Sequence, residues 1–204
     1  MKRKAAGQRS EFPLPPGMVV HSQKGKRVFK GIRFDMFQWQ QKMFNGKTAT
    51  FETLVRKPSV VVIPVEGENV YLIRERQPHW KKASIGFIAG AVEDGETLEE
   101  AARRELREEA GIECEHMDLV FSSQFIRSIE WSGYTFVARG LTHTGKTAFD
   151  GGEDIQVKKV SIAELIRLVR RKAFSFPPLF LEHWLIRDKE DMIRKLLKKP
   201  RLLF

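Results

Sequence analysis

Apolar and polar positions alternate, cluster and recur along this chain in ways that predict its elements. Residues 1–17 are polar and basic, end in Pro13, Pro15 and Pro16, and read as a flexible tail. From 18 to 57, aromatic and β-branched residues predict short strands in VVHSQ, RVFKGIRFDMFQW and TATFETLVR, with Asn45-Gly46 as the turn between the last two. Phe34, Met36 and Gln38 alternate with Asp35, Phe37 and Trp39, so both faces of that strand are partly apolar. A ribbon of this kind is not stable alone, and it is expected to pack on the main domain or on a second subunit. SVVVIPV (59–65) predicts a buried strand, Glu66-Gly67-Glu68-Asn69 a turn, and VYLIR (70–74) the returning strand. A polar loop over 75–84 follows, then a short apolar strand over 85–89.

The next stretch, GAVEDGETLEEAARRELREEAGI (90–112), organises the chain. Thr97 with Glu100 three residues on forms a capping box, and Gly111 stands where a helix C′ glycine belongs. Leu98, Ala101, Ala102, Leu106 and Ala110 recur at helical spacing and mark the buried face. Beyond it, Leu119–Ile126, Tyr134–Arg139 and Ile155–Val160 predict strands, with a loop over 142–154. Ser161 caps a helix, SIAELIRLVRRKA, and Pro177-Pro178 breaks the chain. A last helix starts near Leu179, with the tail DKEDMIRKLLKKPRLLF as its extension. Strands running in both directions, with helices beside them, predict an α/β fold with a mixed sheet.

Chemistry enters with the glutamates of the central helix. Glu105, Glu108 and Glu109 share one side at i,i+3 and i,i+4 spacing, at the edge of the apolar face. Like charges so placed repel, and burial penalises each of them. Protonation relieves this, as does a cation among them, and hard oxygen ligands in a cluster suit Mg²⁺ or Mn²⁺. Arg103 and Arg107 project to another side, toward Glu99 and Glu100, whereas Arg104 is placed to brace Glu100 or Glu108.

Composition sets limits on this picture. The 204 residues are 42% hydrophobic, enough for a core, and no apolar run approaches the ~20 residues of a membrane span. The N-terminus lacks the apolar stretch of a signal peptide. The single Cys114 excludes an internal disulfide and fits a reducing, cytoplasmic compartment. The net charge of +10 is concentrated in the two tails and suits an anionic phosphate substrate better than nucleic acid.

The stretch 90–112 resembles the Nudix box, G-x5-E-x7-R-E-U-x-E-E-x-G-U. Gly90, Glu96, Arg104, Glu105, Leu106, Glu108, Glu109, Gly111 and Ile112 fill its fixed positions. The resemblance implies an α/β/α sandwich with a mixed sheet over 58–204, preceded by an N-terminal antiparallel strand region over 18–57 with a possible role in dimerisation. It also implies metal-dependent hydrolysis of a nucleoside diphosphate linked to another group X. On the same resemblance Glu105 and Glu109 are metal ligands, Glu108 is a third ligand or general base, a backbone carbonyl of Ala89 or Gly90 adds a further ligand, and Arg104 and Glu96 brace the loop to the helix.

The surroundings of the box look closest to the ADP-ribose and nucleoside-diphosphosugar pyrophosphatases. Arg74-Glu75-Arg76-Gln77-Pro78 resembles their Q-Y-R-x-P segment, with Arg74 in place of Gln, and makes Arg76 and Arg74 candidate diphosphate contacts. Glu153-Asp154-Ile155-Gln156-Val157 matches their E-D-I-x-V pattern, which makes Glu153 a candidate ligand or base. Trp39 is a candidate nucleobase platform, although core or subunit packing is the commoner use of such a residue. Glu130 is a second acidic candidate in the next loop, although a surface charge is the commoner use of such a residue. Gly86 in IGFIAG and Ser122-Ser123-Gln124-Phe125 depart from the pattern of ADP-ribose hydrolysis.

GLTHTGKT (140–147) matches the phosphate-loop pattern, but the turn-rich stretch after it does not open the helix such a loop requires. The rival to an enzyme is a Nudix-like module that binds nucleotide or nucleic acid and hydrolyses nothing. An intact glutamate set favours the enzyme.

Overall fold

The computed structural model describes residues 12–145, 147–148, 154–174, 178–199 and 203. In chain order these form β1 (Lys26–Lys30), β2 (Asp35–Lys42), β3 (Thr48–Val55), β4 (Ser59–Glu66), β5 (Asn69–Arg76), β6 (Ser84–Gly86) and β7 (Ile88–Ala91). Helix α1 (Leu98–Ala110) follows, then β8 (Ile112–Gln124), β9 (Ile129–Glu130), β10 (Ser132–His143) and β11 (Asp154–Ser161). Helices α2 (Ile162–Arg170), α3 (Leu179–Ile186) and α4 (Glu190–Lys198) close the chain. The fold is mixed α/β, with two sheets. None of the described helices is long and apolar enough to cross a membrane.

The chain divides into two compact units. The first takes in residues 12–59 and Ser122–Gly133, and its sheet runs β1-β2-β3-β9. β2 and β3 pair antiparallel in full register around a turn at Gly46, whose φ of 80° a side chain would strain. The run from Arg27 to Trp39 is two strands, not one. At Gly31 the N–H donates to Phe34 O at 3.0 Å, and a Cβ there would overlap that same carbonyl oxygen.

VVHSQ is no strand either. Ser22–Lys24 forms a 3₁₀ turn, because the His21 and Ser22 N–H groups donate to the Glu130 carboxylate at 2.6 and 2.7 Å instead of to a strand. The Ser22 hydroxyl adds a third bond at 2.6 Å. Glu130 is thus a buried staple, 5% exposed, and not the surface charge its loop position suggested. Trp131 donates to Ser59 Oγ at 3.0 Å, and the Arg56 guanidinium lies 4.2 Å over its ring.

The second unit holds the seven-stranded sheet, ordered β11-β5-β4-β10-β8, with β6 on β5 and β7 on β4. β4 is buried from Ser59 to Val65, as its unbroken apolar run requires. β5 reaches Arg76, two residues beyond its apolar stretch, because β11 pairs with it as far as Asp154 opposite Arg76. The apolar run 85–89 is shared between β6 and β7, which pair with different strands.

α1 begins and ends where its caps dictate. Thr97 and Glu100 form the reciprocal capping box, and Gly111 adopts φ 63° and donates to Arg107 O at 2.9 Å. Leu98, Ala101, Ala102 and Leu106 are buried, and each leucine contributes about 1.5–3 kcal/mol by its burial. Ser161 caps α2 by accepting from Glu164 N–H at 3.1 Å. The tail does not extend α3. Asp188 turns left-handed at φ 51°, Lys189 N–H returns to Trp184 O at 2.8 Å, and α4 starts afresh with Ile193, Leu196 and Leu197 buried.

Candidate active site

Three consecutive residues of β7 meet α1. The Ala89 N–H donates to Glu109 Oε2 at 3.1 Å. Gly90 lies so close to Glu105 that a Cβ there would overlap the Glu105 carboxylate. Ala91 O accepts from Arg104 Nη2 at 2.9 Å. Glu105 and Glu109 are one turn apart, so a strand passing along the helix touches both. A glycine at position 90 is therefore a matter of space, not of backbone torsion.

Arg104 is the hub. Its Nε and Nη2 hold Glu96 at 2.7 and 3.1 Å, and its Nη1 holds Glu105 Oε1 at 2.7 Å and Glu108 Oε2 at 3.2 Å. Glu96 in turn accepts from Glu93 N–H at 2.9 Å, which fixes the turn entering α1. One planar fork thereby ties loop, strand and helix together. Glu100 is occupied by its cap and takes no part. Arg103 turns away to Glu99 and to Cys114 O, at 2.9 and 2.8 Å.

The electrostatics leave a deficit. Glu105 is 9% exposed, and burial pushes its carboxyl above the ordinary value despite the opposing pull of Arg104. Arg104 is itself held more firmly protonated, chiefly by Glu96. Among the described residues no three His, Cys, Asp or Glu side chains stand ready as a metal cage. The donor chemistry still fits a hard divalent cation. Three carboxylates lie within one turn of each other, the most buried of them is not fully compensated by its arginine, and the Gly90 backbone, without a side chain, comes close against its carboxylate.

The remaining candidates are placed as follows. Arg74 is half-buried on β5, opposite Ile85 and Gln156, and Arg76 is exposed opposite Asp154. Arg76 makes no ion pair among the described residues. Glu153 lies outside the described residues. Trp39 belongs to the first unit, stacked on His21 at 5.1 Å with its indole N–H donating to Gln41 at 3.2 Å.

No pattern in the sequence signals the ties between α1 and the segment after β10. Thr144 N–H and Oγ1 donate to Gly111 O at 2.8 and 2.9 Å, and Ala148 N–H donates to Glu108 O at 3.0 Å. Nor does any signal the cluster in which Tyr71 donates to Glu66 at 2.9 Å and lies 3.0 Å from His143 Nε2. The phosphate-loop match dissolves. Gly140–His143 continue β10, and the next helix among the described residues starts at Ile162.

A family model described as "NUDIX domain" matches residues 55–182. The "Methanol dehydrogenase activator" of Bacillus methanolicus is 27% identical over 154 residues, which is 73% of this chain and 82% of that protein. The "ADP-ribose pyrophosphatase" of Bacillus subtilis is 24% identical over 152 residues, 72% of this chain and 81% of that protein. A crystal structure described as an ADP compounds hydrolase superimposes with a TM-score of 0.64 at 21% identity, covering 93% of this chain and 97% of that one, and shows the shared fold.

Proposed function

The chain belongs to the Nudix family and is a Nudix pyrophosphohydrolase, and from that premise we propose that it cleaves the diphosphate of an ADP-ribose-like or nucleotide-sugar-like substrate, releasing a nucleoside monophosphate. Two things support the substrate class: the Arg74–Pro78 segment at the end of β5 and the likeness to an ADP-ribose pyrophosphatase over most of the chain. Nudix hydrolases generally use divalent metal ions. Mg²⁺ or Mn²⁺ is our choice here, held by Glu105, Glu109 and Glu108 with a carbonyl of Ala89 or Gly90. When bound, such an ion neutralises phosphate charge and acidifies a water.

The chain's own residues do the rest. Arg104 and Glu96 keep the β7 turn against α1, so that the carboxylates and the β7 backbone keep one geometry. Glu108 or Glu153 accepts the proton of the attacking water, whose oxygen bonds to phosphorus as the bridging P–O bond breaks. Arg76, exposed and without an ion-pair partner among the described residues, and Arg74 orient the diphosphate. Trp39 is the assigned base platform, and would have to give up its His21 stack to serve. The strand unit meets a second copy, since Val28, Phe29, Ile32 and Phe44 are exposed on it. The single cysteine, which cannot form an internal disulfide, supports a cytoplasmic location.

The observation that carries this reading is the triple contact of Ala89, Gly90 and Ala91 with Glu109, Glu105 and Arg104. It is tested by incubating the protein and Glu109→Gln with Mg²⁺ and ADP-ribose, nucleotide sugars, dinucleoside polyphosphates and nucleoside triphosphates. Nucleoside monophosphate released by the parent alone supports it. Absence of turnover on every substrate, with salt-sensitive RNA binding, favours the idle module instead.

A further inference from the structure

The last turn of α1 carries two of the three candidate metal carboxylates, Glu108 and Glu109, and it is the less favourable end of a helix for them. The last carbonyl oxygens of a helix lack partners within it, and its dipole puts the negative pole there, so anionic side chains loosen that turn. Arg107 is the basic residue of the turn, one charge against two. The Gly111 N–H satisfies Arg107 O at 2.9 Å. The carbonyls of Glu108 and Gly111 need donors from elsewhere.

The segment after β10 supplies them, within the same compact unit. Ala148 N–H donates to Glu108 O at 3.0 Å, and Thr144 donates to Gly111 O twice, from its N–H at 2.8 Å and from Oγ1 at 2.9 Å. β8 starts at Ile112, β10 ends at His143, and the two are neighbours in the sheet, so the Thr144 N–H bond carries their ladder one step further, onto the C′ glycine. The hydroxyl bond and the Ala148 bond are additional to any ladder. Gly145 turns left-handed at φ 66°, between the two donors. The chain thus leaves the sheet and crosses the end of α1, where Arg104 already braces Glu105 and Glu108 from the other side of the motif.

We propose that Thr144 is a positioning residue for the hydrolytic reaction: its hydroxyl, together with the Ala148 N–H, fixes the last turn of α1 and so keeps Glu108 and Glu109 in place for a divalent cation. Thr144 touches neither substrate nor ion in this role. It acts through Gly111, the residue directly after the turn. The inference rests on the hydrolytic reading for its purpose and on the three bonds for its geometry.

Three variants of the full chain decide it. Thr144→Val keeps the shape and loses the hydroxyl, and Thr144→Ser keeps the hydroxyl. Ser161→Ala removes a hydroxyl bond of similar length, 3.1 Å, at the start of another helix of the same unit. Amide hydrogen exchange in EDTA is expected to quicken at Glu108 to Gly111 by about two- to tenfold in Thr144→Val, the scale of one hydrogen bond. Mn²⁺ affinity, read from the EPR signal of the free ion, falls by a similar factor in the same variant. On the best substrate its kcat falls at least twofold while KM is unchanged. Thr144→Ser and Ser161→Ala behave as the parent in all three measurements. Parental exchange in Thr144→Val, or faster exchange with parental Mn²⁺ affinity, overturns the proposal and leaves the hydrolytic reading intact. Equal losses in Ser161→Ala, or failure of Thr144→Ser to restore the parent's values, overturn it too, since the effect would then be one of general stability or of the methyl group. A parent chain that binds no Mn²⁺ and turns over no substrate sinks the hydrolytic reading instead, and with it the purpose assigned to Thr144.

Discussion

Replacing Glu105 by Gln tests whether the central glutamate is built for folding or for a cation. The carboxylate is 9% exposed, and burying it costs several kcal/mol. The 2.7 Å charge-assisted bond from Arg104 returns about 1.5–3 kcal/mol. The carboxyl is nevertheless pushed up from its ordinary 4.5, so burial is the larger of the two. Gln keeps the shape and the acceptor for Arg104 but carries no charge. In EDTA at pH 8, Glu105→Gln is expected to be more stable than the parent by about 1 kcal/mol, or ~2–4 °C in Tm for a chain of this length. The sign with pH follows. A carboxyl raised in the folded state lends stability that is complete below its unfolded value and is lost as pH rises through the folded one. The advantage of the Gln variant therefore opens above pH ~4.5 and closes below it. Divalent cation reverses the order at pH 8. At a hundredfold excess over its dissociation constant it stabilises the parent by about 2.7 kcal/mol and the variant far less. Thermal melts by circular dichroism, with EDTA and with Mg²⁺, from pH 4 to 8, provide the readout. A Gln variant less stable than the parent in EDTA at pH 8 would refute the reasoning, since the Arg104 pair would then outweigh burial.

Three further outcomes follow from named contacts. Gly90→Ala places a methyl in the Glu105 carboxylate, so activity on the best substrate should fall at least tenfold while the melt moves by no more than about 3 kcal/mol, the scale of one charged hydrogen bond; unchanged kinetics would contradict the close approach. Arg104→Lys keeps the charge and loses the fork between Glu96 and Ala91, and should lower kcat/KM at least tenfold in a steady-state assay without unfolding the chain. Glu130→Ala strands two N–H groups and a hydroxyl and should cost about 2–4 kcal/mol by denaturant melt, with hydrogen exchange rising first at His21 and Ser22.

Much of the candidate site was legible because it is local. The capping box, the C′ glycine and the i,i+3 and i,i+4 glutamates all lie within one helix, where sequence spacing is spatial spacing. The buried strand β4 was equally plain from its apolar run. What escaped depends on partners distant in the chain. Arg104 was expected to brace Glu100 or Glu108. It does hold Glu108, and Glu96 as the family resemblance implied, but the bond to its neighbour Glu105 was not anticipated and Ala91 O reaches it only through the folded turn. Glu130 resembles a surface charge until its N–H partners more than a hundred residues away are known. The split at Gly31, the extension of β5 to Arg76 and the break at Asp188 were hidden for a related reason: apolar pattern marks which residues are buried, while hydrogen-bond partners decide where an element stops.

The central claim, that the α1 carboxylates hold a divalent ion, is tested most directly by Mn²⁺ titration followed through the EPR signal of the free ion. The account predicts binding by the parent chain, weakening of at least tenfold in both Glu105→Gln and Glu109→Gln, and no change in Glu99→Gln, whose carboxylate serves Arg103 on the same helix. Equal Mn²⁺ binding by all four proteins would contradict it.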